Sequence, residues 1–99
     1  MIQFSHPKEK EILLHYAAQF GNDAVKEWLN TGVIENPNQV KDIAQFYWQI
    51  VNTSIEEEQA GKVSFDAMDM WLQRIYTSLH IYFNNNGLES QWEAEIPDD

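Results

Sequence analysis

The chain has no cysteine, which excludes disulfides, a thiolate nucleophile and a thiolate metal site. Positive charge is scarce as well: six Lys and Arg stand against sixteen Asp and Glu, for a formal net charge of −10. So few cations form no basic stripe to neutralise phosphates, so direct binding of nucleic acid is not expected. The same anionic field repels a negatively charged membrane surface. No stretch approaches the roughly 20 apolar residues that span a bilayer, and Met1 to Pro7 lacks the basic start and apolar run of a secretory signal. The expectation is a cytoplasmic, bacterial-type protein. A glycine-rich phosphate loop, a His-Glu-x-x-His pair and a nucleophile motif are all missing from the sequence. No enzyme, no metal and no cofactor are therefore expected.

Hydrophobic residues make up 43% of the 99 residues and aromatics 13%, enough apolar surface for a packed core. The length suits a single domain spanning 1–99. Its four glycines and three prolines help mark where helices start and stop. Ser5 or His6, followed by Pro7, opens a first helix through Ile12, Leu13, Tyr16, Ala17 and Phe20 that ends at Gly21. Asn22 caps a second helix with Val25, Trp28 and Leu29 on one side, ending at Thr31-Gly32.

Asn36-Pro37 begins a longer third helix, with Gln39 placed as in a capping box, reaching about Gln59. Val40, Ile43, Tyr47, Ile50, Val51 and Ser54 share one narrow arc at helical spacing, the mark of a core-facing side. Phe46 and Trp48 flank that arc and are expected under the first two helices. Ser64 caps a fourth helix whose stripe runs Phe65, Met68, Leu72, Ile75, Tyr76, Leu79 and Phe83 before Asn84-Asn85-Asn86-Gly87 ends it. The fold class is all-α: a small bundle of about four helices, two short and then two long and antiparallel. Residues 88–99 form an acidic C-terminal tail, docked or flexible, with Trp92 and Ile96 as its apolar handles.

The run Leu14-His15-Tyr16-Ala17-Ala18-Gln19-Phe20-Gly21-Asn22, followed by Val25-Lys26, Trp28-Leu29, Gly32 and Asn36, resembles one ankyrin repeat. It covers about a quarter of the chain, its second glycine comes one residue early, and no later segment repeats it. A stack needs about three units to bury its faces. The resemblance therefore implies a helical hairpin and brings no function with it.

Charge is distributed unevenly. Residues 1–50 hold four Lys against six acids, whereas residues 51–99 hold only Lys62 and Arg74 against ten. Glu56, Glu57 and Glu58 fall in the last turn of the third helix, where the helix dipole makes each acid unfavourable by about 0.3–1 kcal/mol. A local rule broken without compensation points to function. With Asp66 and Asp69 across the turn, these acids are expected to make one negative corner, with Lys62 as the nearby cation. The plain alternative is a solubilising charge run. On the fourth helix Met70 and Ile81 project away from the core stripe, with Trp71 and Tyr82 on its flank. They are either core of a central helix covered on both sides or, if one side is open, the anchors of a binding hot spot. His15, near Glu11, and His80 read as ordinary surface and packing residues.

The leading expectation is an inhibitory binding protein, an immunity or antitoxin partner that occludes a basic toxin such as a nuclease. Glu56, Glu57, Asp66 and Asp69 would stand in for substrate phosphates, with Glu58 beside them and Glu93 and Glu95 of the tail as auxiliaries. Met70, Trp71, Ile81 and Tyr82 would slow release. A phage-type mimic of nucleic acid, blocking a nucleic-acid-binding defence protein, has the same surface physics. A homodimeric structural or adaptor domain, joined through Met70 and Ile81, is a further alternative, so the chain is expected as a monomer or weak homodimer. A metal-dependent hydrolase built on His15 is the last.

Overall fold

The computed structural model describes residues 2–61 and 65–95. Helix α1 spans Pro7–Phe20. Its cap is His6, in extended backbone geometry, whose Nδ1 accepts a hydrogen bond from the Lys8 amide at 3.0 Å. Ser5, the other candidate, turns its hydroxyl to Glu9 instead. Gly21 ends the helix at φ 67°, a left-handed conformation that costs a side-chain-bearing residue energy but not glycine. Helix α2, Asp23–Thr31, is capped by Asn22, whose side chain accepts from the Val25 amide at 3.1 Å, and closes on Gly32 at φ 69°.

Helix α3 spans Asn38–Gln59. Its start realises the expected box in a shifted form. The Gln39 carboxamide oxygen accepts from the Asn36 amide at 2.9 Å and also from Glu35 at 2.7 Å, while the Asn36 side chain accepts from Asn38 rather than from Gln39. Helix α4 spans Phe65–Asn85 and α5 spans Glu89–Ala94. The expected Ser64 cap, Lys62 and the apolar handle Ile96 lie outside the described residues. So do the side chains of Phe65 and Asp66.

Five helices thus replace the four expected, with no strand among the described residues. The difference lies in the C-terminal segment, which is helical over Glu89–Ala94. Trp92 is fully buried there, stacked on Phe83 with centroids 5.1 Å apart and tilted against Tyr76 at 5.5 Å. The Leu88 amide donates to the Phe83 carbonyl at 2.8 Å, turning the chain back at once after α4. The Cα radius of gyration, 13.2 Å, is that of a compact chain of about 100 residues, consistent with α5 folded onto the rest.

One hydrophobic cluster draws on every helix and on Ile2. Val40, Ile43, Tyr47, Ile50 and Ser54 of the expected α3 arc are buried, and Val51 is half-buried. Phe46 is covered by α1, edge-on to Phe20 at 6.0 Å. Trp48 is only half-buried and leans on Tyr47 of its own helix. Helix α4 touches α1, α3 and α5, so it is covered on more than one side, yet Met70 and Ile81 remain 50% and 52% exposed. Its outer strip is open.

Tyr47 ties α3 to α4 by donating its hydroxyl hydrogen to the Leu72 carbonyl at 3.1 Å. Burial pushes the Tyr47 pKa up to about 12, helped by Tyr76 and the charge of Asp69. In the unfolded chain a tyrosine ionises near pH 10, so between pH 10 and about 12 the unfolded state gives up this proton and the native state keeps it. Stability therefore falls as pH rises through that window. Chemical denaturation from pH 8 to 12 should show a loss attributable to Tyr47 of about 1–2 kcal/mol, after allowance for residual solvent screening. Tyr47→Phe should lose about 0.5–1.5 kcal/mol at neutral pH and flatten the alkaline slope. An unchanged slope in that variant rules the account out.

Candidate partner-binding surface

The acids at the end of α3 differ in their surroundings. Glu56 and Glu58 are exposed in the final turn of the helix, and that turn holds no basic residue. Glu57, between them, is half-buried, and its carboxylate accepts from the Tyr16 hydroxyl at 3.3 Å. The Tyr16 pKa is raised, mostly by burial; the Ser54 hydroxyl beside it opposes the shift and the Glu57 charge adds to it. Asp69 is half-buried and accepts from the Gln73 carboxamide at 2.9 Å. Its charge also reaches Tyr47, so it belongs partly to the α3–α4 contact. Asp66 is helical, and its side chain lies outside the described residues. Of the five acids expected in one corner, Glu56 and Glu58 are the two whose side chains the structure shows exposed.

In the C-terminal segment Glu93 is exposed on α5 and Glu95 is half-buried just after it. Glu93 stands on an element fixed by Trp92, and Glu95 follows that element directly.

The four apolar candidates on α4 divide. Met70 and Ile81 lie on the open strip. Tyr82 does not: it is 7% exposed, donates to the Gly32 carbonyl at 2.9 Å and accepts from the Trp28 indole at 3.4 Å. Its hydroxyl is spent on holding the end of α2 to α4, which corrects its reading as a surface anchor. Trp71 is half-buried and serves as a platform for cations. Lys8 Nζ stands 5.5 Å from its ring centroid, the Arg74 guanidinium carbon 5.3 Å, and the His6 ring 5.1 Å. Two of the chain's six Lys and Arg therefore gather on one indole, at distances where cation–π attraction operates.

Two features had no warning in sequence pattern. The first is Glu9, wholly buried in the first turn of α1. Its carboxylate accepts from the Ser78 hydroxyl at 2.7 Å and from Ser5. The spacing from Ser5 to Glu9 is that of neighbours on a helix, but nothing local announces Ser78, 69 positions away. The second is a groove of about 670 Å³ between residues 3–5 and the outer strip of α4.

No group of three or more metal-ligating side chains occurs among the described residues. His15 is exposed beside the Tyr16 ring, and His80 is half-buried. No helix among the described residues is long and apolar enough to cross a membrane. Comparison of the chain with known protein families, with curated proteins and with solved structures gave no match.

Proposed function

We propose that this chain is a protein-binding domain that inhibits a basic partner by covering it, as an immunity or antitoxin protein covers a cationic toxin such as a nuclease. The observation that carries the reading is the exposed pair Glu56 and Glu58 at a helix C-terminus without a basic residue in its last turn. Carboxylates there add to the negative end of the helix dipole, and in a chain of net charge −10 they add to one anionic field. Such a field accelerates encounter with a cationic cleft, and shape complementarity then sets the rate of release. In this reading the two long helices form an antiparallel pair, for which the Tyr47–Leu72 bond across a short connection is the support. Asp66, Asp69, Glu93 and Glu95 supply the rest of the anionic rim in a single cytoplasmic domain.

Placing Glu57 against Tyr16 moves the decisive substitutions to its neighbours. A tagged copy expressed in its native cell should retain a basic protein. Against that partner, Glu56→Lys with Glu58→Lys should slow association about fivefold or more at low ionic strength, with the difference shrinking near 0.15 M salt, where screening sets in at about 8 Å. An acidic partner, or an association rate indifferent to both charge reversal and salt, would refute the reading.

A further inference from the structure

The groove between residues 3–5 and α4 differs in chemistry from the rest of the molecule. Gln3, Phe4 and Ser5 form one wall, and Met70, Arg74 and Ile81 lie on the other. Among the described residues no Asp or Glu lines it, in a chain where sixteen of 99 residues are acidic. Glu9 bonds to its edge through Ser5 and Ser78 but is wholly buried. Arg74 is exposed, and Lys8 and His6 gather with it around Trp71 at that side of the groove. Arg74 is thus the one charged side chain among the described residues that line the groove, and its exposed guanidinium is complementary to a carboxylate.

The walls also define a backbone geometry. Gln3, Phe4 and Ser5 lie outside any helix and make no backbone–backbone hydrogen bond among the described residues, so their main-chain groups can pair with an extended chain laid alongside. In an extended peptide, residues two apart point the same way and lie about 6.5 Å from each other. One turn of α4, from Met70 to Arg74, spans about 6 Å. An apolar side chain and a carboxylate two positions apart would therefore meet Met70 and Arg74 in register.

We propose that this groove is a second docking site, for an extended partner segment carrying an apolar side chain and, two residues away, a carboxylate. The segment's main chain runs along Gln3–Ser5, its apolar side chains rest on Met70 and Ile81, and its carboxylate pairs with Arg74. The site is separate in chemistry from the acidic surface and does not depend on the basic-partner reading.

The test is a titration of isotope-labelled full-length protein, followed by nuclear magnetic resonance, with the blocked pentapeptide Leu-Ser-Glu-Ser-Leu and with versions carrying Gln or Lys at the centre. The Glu peptide should shift the Met70 and Ile81 methyls and the Gln3–Ser5 amides, and bind about tenfold more tightly than the Lys version. Arg74→Gln should bring the Glu peptide down to the level of the Gln peptide. Met70→Ser with Ile81→Ser should weaken all three while the helical circular dichroism spectrum is retained, because both side chains are half in solvent. Equal or tighter binding of the Lys peptide overturns the proposal, as do shifts mapping elsewhere. Methyl shifts that depend on protein concentration without peptide overturn it too, since a second copy would then be the occupant.

Discussion

Trp92→Ala is expected to lower the unfolding free energy by about 3–5 kcal/mol, the usual cost of truncating a fully buried tryptophan. Against a typical total of about 5–15 kcal/mol that is a large share, and for a chain of this size it corresponds to a fall in melting temperature of 12 °C or more, at about 4–8 °C per kcal/mol. The reason is geometric. The indole has no solvent exposure and lies against Phe83 and Tyr76, so its loss opens a cavity at the junction of α3, α4 and α5. Trp92→Phe should cost much less, because the indole nitrogen is buried without a hydrogen-bond partner among the described residues and the phenyl ring retains the stacking. Urea denaturation of both variants measures the difference. Melting of Trp92→Ala within about 2 °C of the parent would mean that α5 contributes nothing and that Glu93 and Glu95 have no fixed positions.

Glu9→Ala is expected to cost about 2–4 kcal/mol. The carboxylate's hydrogen bonds to Ser5 and Ser78 disappear, and the Ser78 hydroxyl, on a residue 6% exposed, is left without that partner in a site water scarcely reaches. The effect should also be local. Residues 2–5 are joined to α1 and α4 through this carboxylate, so their amides should exchange faster and Phe4 should become a site of chymotryptic cleavage. Glu9→Gln retains the volume and an acceptor oxygen, and should lose less than half as much. A Glu9→Ala variant within about 0.5 kcal/mol of the parent, with residues 2–5 equally protected, would show that the carboxylate is incidental. The same variant should weaken peptide binding in the groove, whose wall it supports.

Much of the architecture is legible in short-range signals. Pro7 and Gly21 bracket α1, Asn22 and Gly32 bracket α2, and Gln39 closes back on Asn36 at the start of α3. These are interactions within a few residues, and pattern reading reaches them because the groups involved are neighbours in the chain. The arc from Val40 to Ser54 is legible for a related reason: a 22-residue helix offers enough turns for its period to stand out. Helix α5 has six residues, less than two turns, so no period can emerge and its existence depends on what Trp92 finds to pack against.

The site was less legible. Met70 and Tyr82 are both large side chains on α4 that stand off its core stripe, yet one is half in solvent and the other is 7% exposed. The distinction comes from Trp28 and Gly32, 54 and 50 positions before Tyr82. Glu57 reads as one of three equivalent acids until Tyr16, 41 positions away, takes its carboxylate.

Caps, periodicity and net charge are local or additive properties, so the residues alone announce the all-helical class, the ends of α1 and α2 and the anionic character. Packing between distant segments sets which acids remain in solvent, buries Glu9, gathers cations on Trp71 and opens a groove beside Arg74. Those outcomes are set by which surfaces meet, and burial changes the energy of a polar group through partners far away in the chain.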